Sequence, residues 1–346
     1  MQAQNQNRDG KVLKSLWRVA VLAVILLLSI ACNQNSGKKA MENQKEQTIT
    51  FGVGRFVIDI PVSMQYRGGT YRMRDRSIEE VMWPDADKDK ESETLWNTHI
   101  EGIKKLKAPN GFENALIEIK DIENIGKSCR AVLFFNEPLD TAYGTLHIFL
   151  DSGSTAVWIK ARDKKIASKD FTYQKSTDLA KAYRPPSHRL GKADVLTNRD
   201  SFYLEHGAVD LPFEYKESVD LGFQGHAIDK HLELSIETEV VHEVEQSGLI
   251  ERFKAVIATN YAPGLKIDKI KTGSRTVAGM EGEEIIYRGT EDDGEVEISF
   301  VWEHPGVAKN AHLPNVIIDM ATTDGQFDEK LAVWDTILDS MRPAGR

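Results

Sequence analysis

The feature that most constrains the fold is a strand-like segment at residues 51–61. Apolar and more polar residues alternate there, and this period of two predicts a β-strand with one apolar row, formed by Phe56, Ile58 and Ile60. Gly54 interrupts the alternation and predicts a bulge or a bend, and Pro61 ends the strand because it has no N–H to donate. A weaker version of the pattern, also ending in proline, returns at residues 205–212. The chain therefore contains two similar strand-like segments, and each is interpreted as the start of a folded unit.

The same kinds of element follow each starting point. Apolar residues at helical spacing predict helices near residues 96–106, 171–184, 249–257 and 327–341. Strand-like segments lie at residues 115–122, 129–135, 143–151, 156–161, 201–211, 217–223, 232–241, 272–277, 283–288, 295–303 and 315–320. Both closing helices end at an Arg-Pro pair, and Phe171 is predicted to be buried in the first of them. These matched landmarks predict an α+β fold with two domains of related topology, at residues 48–190 and 191–346, each an antiparallel sheet with flanking helices.

The N-terminal residues have the features of a secretory signal. Basic side chains precede a mostly apolar run at residues 19–30, which is shorter than the roughly 20 residues that a membrane-spanning helix needs. The sequence before Cys32 resembles the cleavage box of bacterial lipoproteins, although Ser29 stands where leucine is usual. Residues 1–31 are therefore predicted to be a signal peptide, Cys32 the lipidated residue, and residues 32–47 a flexible tether. Asn33 after the cysteine is compatible with the periplasmic side of the outer membrane; the alternative is an uncleaved signal anchor.

Charge and cysteine content limit the kinds of partner. Residues 32–191 contain 25 basic and 22 acidic side chains, a net charge of +3, whereas residues 192–346 contain 15 and 30, a net charge of −15. This balance argues against nucleic acid and suits a protein partner with uneven charge, although an acidic surface also serves solubility. Cys129 lies in an apolar strand-like run, which predicts a buried structural thiol rather than a nucleophile.

The sequence contains no recognisable catalytic or metal-binding motif. A nucleophile elbow, a complete phosphate loop, a dinucleotide fingerprint and the paired histidines of zinc proteases are all missing. Three histidines share one region but match no metal-ligand spacing, and are predicted to be scattered over the surface: His226, His231 and His242. Glutamates near residues 281–297 lack the spacing of a calcium loop and predict an exposed acidic hairpin face, which includes Glu281, Glu283 and Glu284. No catalytic residue, metal or cofactor is predicted.

Several segments together resemble the lipoprotein immunity proteins that neutralise type VI secretion lipase effectors. They are residues 51–61, 273–284, 300–303 and 334–343, and they span both predicted domains. The likeness is closest to the two-domain class directed against a phospholipase toxin. It implies a non-enzymatic inhibitor, held in the periplasm by its lipid, that binds the cognate phospholipase effector without a cofactor. In that family the two lobes form a clamp that grips the toxin and restrains its substrate entrance.

Residue types on predicted turns suggest where a partner binds. Residues 66–76 combine arginines, aromatics and a Gly-Gly pair and are predicted to be an exposed hairpin or loop. The predicted partner-binding residues are Tyr71, Arg72, Arg74, Glu291, Asp292 and Asp293. Two alternatives remain open. One is a solute-binding envelope lipoprotein, although the expected βαβ alternation is missing, and the other is an envelope hydrolase with catalytic residues dispersed along the chain.

Overall fold

The structure, a computed structural model, describes residues 46–344 apart from 84–87, 154, 187–199, 215, 259–265 and 291–293. The predicted signal peptide, the lipidation site Cys32, all but the last two residues of the tether, and the domain boundary at residues 190–191 lie outside the described residues. The described chain is mostly antiparallel sheet with a few helices, and the predicted α+β class is confirmed.

The first half of the chain begins with a hairpin and ends with a helix followed by a very short strand. Its elements are β1 Thr48–Val53, β2 Phe56–Pro61, β3 Gln65–Met73, β4 Arg76–Met82, α1 Lys88–Lys104, β5 Leu116–Asp121, β6 Ser128–Phe134, β7 Tyr143–Asp151, β8 Thr155–Lys165, α2 Lys169–Ala182 and β9 Tyr183–Arg184.

The second half repeats this order of elements. They are β10 Phe202–Tyr203, β11 Ala208–Val209, β12 Glu217–Gln224, β13 Glu233–Glu239, α3 Leu249–Ala258, β14 Lys266–Val277, β15 Met280–Thr290, β16 Val296–His304, β17 Asn315–Thr323, α4 Phe327–Ser340 and β18 Arg342–Pro343. The helices and most of the longer strands lie where the sequence predicts them.

Both halves contribute to one twelve-stranded antiparallel sheet. Its strand order is β14-β15-β16-β17-β13-β12-β3-β4-β8-β7-β6-β5, so the halves meet where β12 pairs with β3. Counted outward from this seam, the strands of the two halves follow the same order, β3-β4-β8-β7-β6-β5 in the first half and β12-β13-β17-β16-β15-β14 in the second. Two three-stranded sheets, β1-β2-β18 and β10-β11-β9, join the last strand of each half to the hairpin that opens the other half. The two halves are thus connected by strand pairing at three places.

The main core covers one face of the large sheet, called here the packed face. Alternate strand residues point into it, because successive side chains of a strand lie on opposite faces. The core side chains are fully or almost fully buried and include Ile148, Ile159, Leu221, Ile236, Phe300 and Ile318. α4 packs here through Trp334 and Phe327, whose rings lie 5.8 and 5.9 Å from that of Phe300. α2 and the two small sheets contribute to the same core.

α1 packs on the opposite face, over the strands of the first half. Its Trp96, Ile100 and Ile103 are buried, as the helical spacing predicts. The Trp96 ring stacks on that of Trp158, with ring centroids 6.1 Å apart and the ring planes 14° from parallel. This second core is separate from the main one because the sheet lies between them.

Three sequence predictions about local structure need correction. Gly54 (φ +64°) lies in a full hairpin reversal between β1 and β2, rather than at a bulge within one strand. Residues 201–211 form only the two short strands β10 and β11. Phe171 is 63% exposed, because it lies on the outer side of α2 while Leu179 faces the core. Helical spacing identified this helix and its buried Leu179 but placed Phe171 on the wrong side.

The predicted loop at residues 66–76 is also different. β3 is a central strand of the large sheet, and the hairpin turn that follows it is formed by Arg74 and Asp75 rather than by the two glycines. Both turn residues have positive φ, 53° and 62°, as two-residue hairpin loops of type I′ require.

This turn leads to a prediction about stability. Asp75→Gly is expected to raise the free energy of unfolding by up to about 1 kcal/mol, because glycine adopts positive φ without steric cost. The lost ion pair with Lys216 is exposed and contributes little. Asp75→Val, with a branched Cβ at positive φ, is expected to lower the same quantity. Urea denaturation followed by tryptophan fluorescence measures both variants. Equal stability of the glycine and valine variants would contradict the assigned turn.

Candidate functional site: an uncovered face of the sheet

The structure separates the predicted partner-binding residues of β3. Tyr71 is only 5% exposed and packs in the main core, so its predicted position on an exposed turn is wrong. The alternation of β3 explains this, since Tyr71 and Met73 point into the packed face while Arg72 points to the other side and is exposed. Arg74 lies in the turn, with its guanidinium 3.0 Å from Glu214. Glu291, Asp292 and Asp293 lie outside the described residues, and partner binding by Arg72 and Arg74 stays a prediction.

The buried ionic groups of the second half have structural partners. Glu284 is 1% exposed, contrary to the predicted exposed acidic face, and its carboxylate accepts hydrogen bonds from Arg275 at 3.1 Å and from the Trp334 indole at 2.8 Å. Lys271 lies 2.5 Å away. Burial raises the pKa of Glu284, but the hydrogen bonds from Lys271, Trp334 and Arg275 outweigh that effect and hold the pKa below its usual value. This carboxylate therefore stays ionised as part of the scaffold.

The histidines of the second half do not form a metal site. His226 is buried rather than on the surface, with Nε2 2.9 Å from Glu46 and Nδ1 accepting the Ile228 N–H. Within the described ranges, no group of three histidine, cysteine, aspartate or glutamate side chains is arranged to hold a metal ion. Cys129 is buried, as predicted, and burial raises the pKa of its thiol to about 12, so it is protonated at neutral pH. These groups stabilise the fold.

A buried histidine pair lies between α1 and the sheet. His99 Nε2 and His147 Nδ1 are 2.9 Å apart, and His147 is 7% exposed. Burial, together with the smaller effects of the charges of His99, Lys160 and Arg162, lowers the pKa of His147 to about 3. The imidazole is therefore neutral in the folded protein.

This histidine predicts a pH dependence of stability. Unfolded His147 titrates near its ordinary pKa of about 6.5, so between about pH 6.5 and 3 the unfolded chain binds more protons. The stabilising contribution is complete above about pH 6.5 and decreases as the pH falls, by at most about 1.4 kcal/mol per unit. His147→Phe is expected to reduce this acid sensitivity, whereas the exposed control His312→Gln is not. Thermal unfolding between pH 7 and 4 measures how the stability of each variant changes with pH. Identical pH profiles for wild type and His147→Phe would contradict the prediction.

No described helix is both long and apolar enough to cross a membrane.

The middle of the large sheet is uncovered on the side opposite the packed face. We call this surface the open face and define it by the outward side chains of β3, β12, β13 and β17, which are exposed or half-buried. These side chains are Thr70, Arg72, Ser218, Asp220, Gly222, Glu233, Ser235, Glu237, Glu239, Asn315, Ile317, Asp319 and Ala321. On the same side of the sheet, α1 packs over β7 and β8, and α3 contacts β15 through Phe253 and Tyr287, whose rings are 5.1 Å apart. The open face therefore lies between two helices.

The strand register brings acidic side chains of the second half together on the open face. Asp220 lies directly opposite Glu237, and Glu239 and Asp319 are on the neighbouring strands β13 and β17. Arg72 of β3 is exposed on the same face. Further from the seam, Lys160 of β8 forms an ion pair with Glu79 of β4 at 2.5 Å.

The described part of the chain thus presents an exposed polar sheet surface, and the buried Glu284 and Cys129 are held by the surrounding fold. Residues 202–344 match the family described as the Tle cognate immunity protein 4 C-terminal domain. This match confirms the resemblance predicted from the sequence for that part of the chain. No curated protein sequence matches the chain significantly.

Solved structures confirm the fold over most of the chain. The apo immunity protein TplEi of the type VI secretion system (T6SS) of Pseudomonas aeruginosa matches with a TM-score of 0.71 and 18% identity, over 87% of this chain and 99% of that one. A chain of the Tle4–Tli4 complex matches with a TM-score of 0.70 and 19% identity, over 86% and 98%. TplEi complexed with an "L" peptide matches with a TM-score of 0.65 and 17% identity, over 86% and 99%. At these identities the structural likeness establishes the fold alone.

Proposed function

We propose that this protein is an immunity protein that binds a type VI secretion lipase effector, a phospholipase, and blocks its activity. The observation that carries the proposal is the family match of residues 202–344. The fold supports it, because immunity proteins of this fold have been captured in the Tle4–Tli4 complex and with a peptide.

The proposed mechanism is occupation of the effector's surface rather than chemistry. Among the described residues, no group of side chains is arranged to hold a metal ion, and at neutral pH the buried Glu284 is ionised and the Cys129 thiol is protonated. An inhibitor of this kind acts stoichiometrically, with one immunity protein silencing one effector. The protein is accordingly proposed to have no catalytic activity of its own.

The clamp arrangement is proposed as the way in which the effector is held. The two halves repeat one order of elements and each contributes a helix, α1 or α3, beside the open face. Their pairing through β3 and β12, and through the exchanged strands β9 and β18, supports a rigid relation between the two sides of such a clamp. A rigid inhibitor loses little conformational entropy when it binds.

The proposed location is the periplasm, with a lipid on Cys32 anchoring the protein to the outer membrane. The support is the basic and apolar N-terminus, the cysteine after a small residue, and the polar tether of residues 33–47. Radiolabelled palmitate incorporation into wild type but not Cys32→Ala tests lipidation, and membrane fractionation tests the location.

Solute binding receives no specific support. A cavity lined by Arg55, Phe56, Ala278, His312 and Pro343, among other residues, has a volume of about 190 Å³. Small-molecule sites usually have roughly 300–1,000 Å³. A second pocket of about 360 Å³ reaches that range, but it is formed by one segment, residues 121–130, around the turn between β5 and β6.

The proposal is tested by mixing the mature protein with its proposed cognate type VI lipase effector. Size-exclusion chromatography with light scattering is expected to show a complex of defined stoichiometry, and co-expression is expected to protect cells that carry the lipase in the periplasm. Separate elution together with unprotected cells would contradict the proposal.

A further inference from the structure

We propose that one end of the large sheet faces the bilayer to which the protein is anchored, and that the opposite end points away from it. The bilayer-facing end is formed by the connection between β12 and β13, residues 225–232, and is called here the near end. The far end is formed by the β3–β4 turn, Arg74 and Asp75. This inference rests on the lipid anchor at Cys32 proposed above, and it concerns the orientation of the anchored protein.

The side chain of Glu46 fastens the start of the described chain to the near end. One carboxylate oxygen accepts a hydrogen bond from Ser63 Oγ at 2.6 Å, and the other lies 2.9 Å from His226 Nε2. His226 is buried, and its Nδ1 accepts the Ile228 N–H at 3.2 Å. In the neutral imidazole the proton is therefore on Nε2, which donates it to Glu46. The predicted tether thus joins the fold at a fixed place.

Backbone pairing fixes the same junction. The carbonyl of Gln47 accepts the Val62 N–H at 2.9 Å. This hydrogen bond lies directly beside the first pair of the β1–β2 hairpin, Thr48 with Pro61, so the hairpin is paired from its first residue. The tether therefore has no loose segment between Glu46 and the sheet.

The connection that holds Glu46 is itself attached to the sheet and to α4. Asp229 accepts the backbone N–H of His231 at 2.8 Å and that of Thr323, at the end of β17, at 3.0 Å. Its carboxylate also lies 3.0 Å from Nζ of the buried Lys330 on α4. Burial raises the pKa of Asp229, but the hydrogen bonds outweigh that effect and hold the pKa well below its usual value. The carboxylate stays ionised at neutral pH, and the near end is a firm attachment point.

The near and far ends lie at opposite ends of the same strands. β3 begins opposite Gln224, which directly precedes the β12–β13 connection, and ends opposite Glu217, next to the β3–β4 turn. The nine residues of β3 span about 30 Å at the usual rise of a strand. The far end is therefore about that much farther from the junction at Glu46 than the near end.

The predicted tether is short compared with this distance. Thirteen residues separate Cys32 from Glu46, and a flexible chain of that length has a root-mean-square end-to-end distance of about 20 Å. The near end can approach the bilayer without stretching such a tether. Bringing the far end to the bilayer would require an extended tether and would reduce its conformational entropy. The far end, which carries Arg74, accordingly faces the periplasm.

The orientation is measured by energy transfer from a dye on the protein to labelled lipids. The lipidated protein is reconstituted into vesicles of phosphatidylethanolamine and phosphatidylglycerol that contain an acceptor-labelled lipid. The donor dye is attached to Lys230→Cys, exposed at the near end, or to Ala167→Cys, exposed just past β8. β8 ends on the side of the far end, because its Lys160 pairs with Ser77 near the start of β4 and the strand continues beyond that pair.

Two controls accompany these variants. The protein without an added cysteine is expected to take up no dye, because Cys129 is buried with a protonated thiol and the lipid occupies the sulfur of Cys32. A third pair of variants contains about 30 glycine and serine residues inserted after Lys45, which extends the reach of the tether to about 35 Å. Melting temperatures verify that each labelled variant folds.

Transfer from Lys230→Cys is expected to be at least about twofold more efficient than from Ala167→Cys, and the inserted residues are expected to reduce this difference. Equal transfer from the two positions, or stronger transfer from Ala167→Cys, would overturn the orientation. An undiminished difference with the lengthened tether would overturn the tether as its cause. Absence of palmitate from Cys32 would overturn the anchor and this orientation together, whereas inhibition of the effector in solution depends on neither.

Discussion

Arg55→Ala is expected to lower the free energy of unfolding by about 3–5 kcal/mol, because it leaves a buried carboxylate without its partner. Arg55 is 4% exposed and donates from Nε and Nη2 to the carboxylate of Glu217, at 2.8 and 2.6 Å. The same guanidinium donates to the backbone carbonyls of Leu211, at 3.1 Å, and Asp200. One side chain from the hairpin of the first half thus satisfies three acceptors in the second half.

Two comparisons identify the cause of this loss. Arg55→Met/Glu217→Leu, which removes both charges, is expected to be less destabilising than Arg55→Ala. Glu101→Ala, which removes the exposed pair with Lys104, is expected to change stability by less than about 1 kcal/mol. Chemical denaturation gives all three values. If Arg55→Ala were as stable as wild type, Arg55 would not join the halves in this way.

Trp334→Ala is expected to lower the free energy of unfolding by about 3–5 kcal/mol. Trp334 on α4 is fully buried against Phe300 on the packed face, and its indole N–H donates to Glu284 at 2.8 Å. Truncation leaves a large cavity and removes one of the hydrogen bonds that keep Glu284 ionised. The loss of unfolding free energy is therefore larger than the cost of removing the buried apolar atoms alone.

Phe171→Ala is the matched control for this substitution. Phe171 is also an aromatic residue on a closing helix, but it is 63% exposed, and its replacement is expected to change stability by less than about 0.5 kcal/mol. Thermal unfolding of both variants measures the difference. Similar melting temperatures would contradict the assigned packing of α4.

Local patterns were sufficient to predict much of the fold. The strand at Phe56–Pro61, the strand Tyr143–Asp151 and helix α4 were recognised because their apolar residues repeat at the period of the element. The same order of elements was predicted for both halves because each half begins with a strand-like segment that ends in proline and closes with a helix that ends at an Arg-Pro pair. These signals depend only on residues close to one another in the chain.

Pairing between distant strands could not be predicted in this way. The seam between β3 and β12 joins segments about 150 residues apart in the sequence, and residues 66–76 resemble a loop because most residues of β3 are exposed. For the same reason the sequence predicts Tyr71 and Arg72 to be equally exposed, although the pleat of β3 puts them on opposite faces. The partners of Arg55 lie in the second half of the chain, so no local pattern indicates them.

The sequence could predict that the partner is a protein, but not which residues lie together on one surface. Unequal charge between the halves indicated a protein partner, and the structure shows acidic side chains of the second half gathered on three adjacent strands. Their proximity depends on the register of β12, β13 and β17, which no local pattern determines. Family resemblance gave the class of partner, and the strand register shows only that these side chains share one face of the sheet.

The most direct test of the central claim is a titration of phospholipid hydrolysis. The proposed cognate lipase effector is incubated with phospholipid vesicles, and released fatty acid is measured as the purified mature protein is added. Immunity function predicts that hydrolysis falls in proportion to added protein and stops near one equivalent of inhibitor. Undiminished hydrolysis with the folded protein in excess would contradict the account.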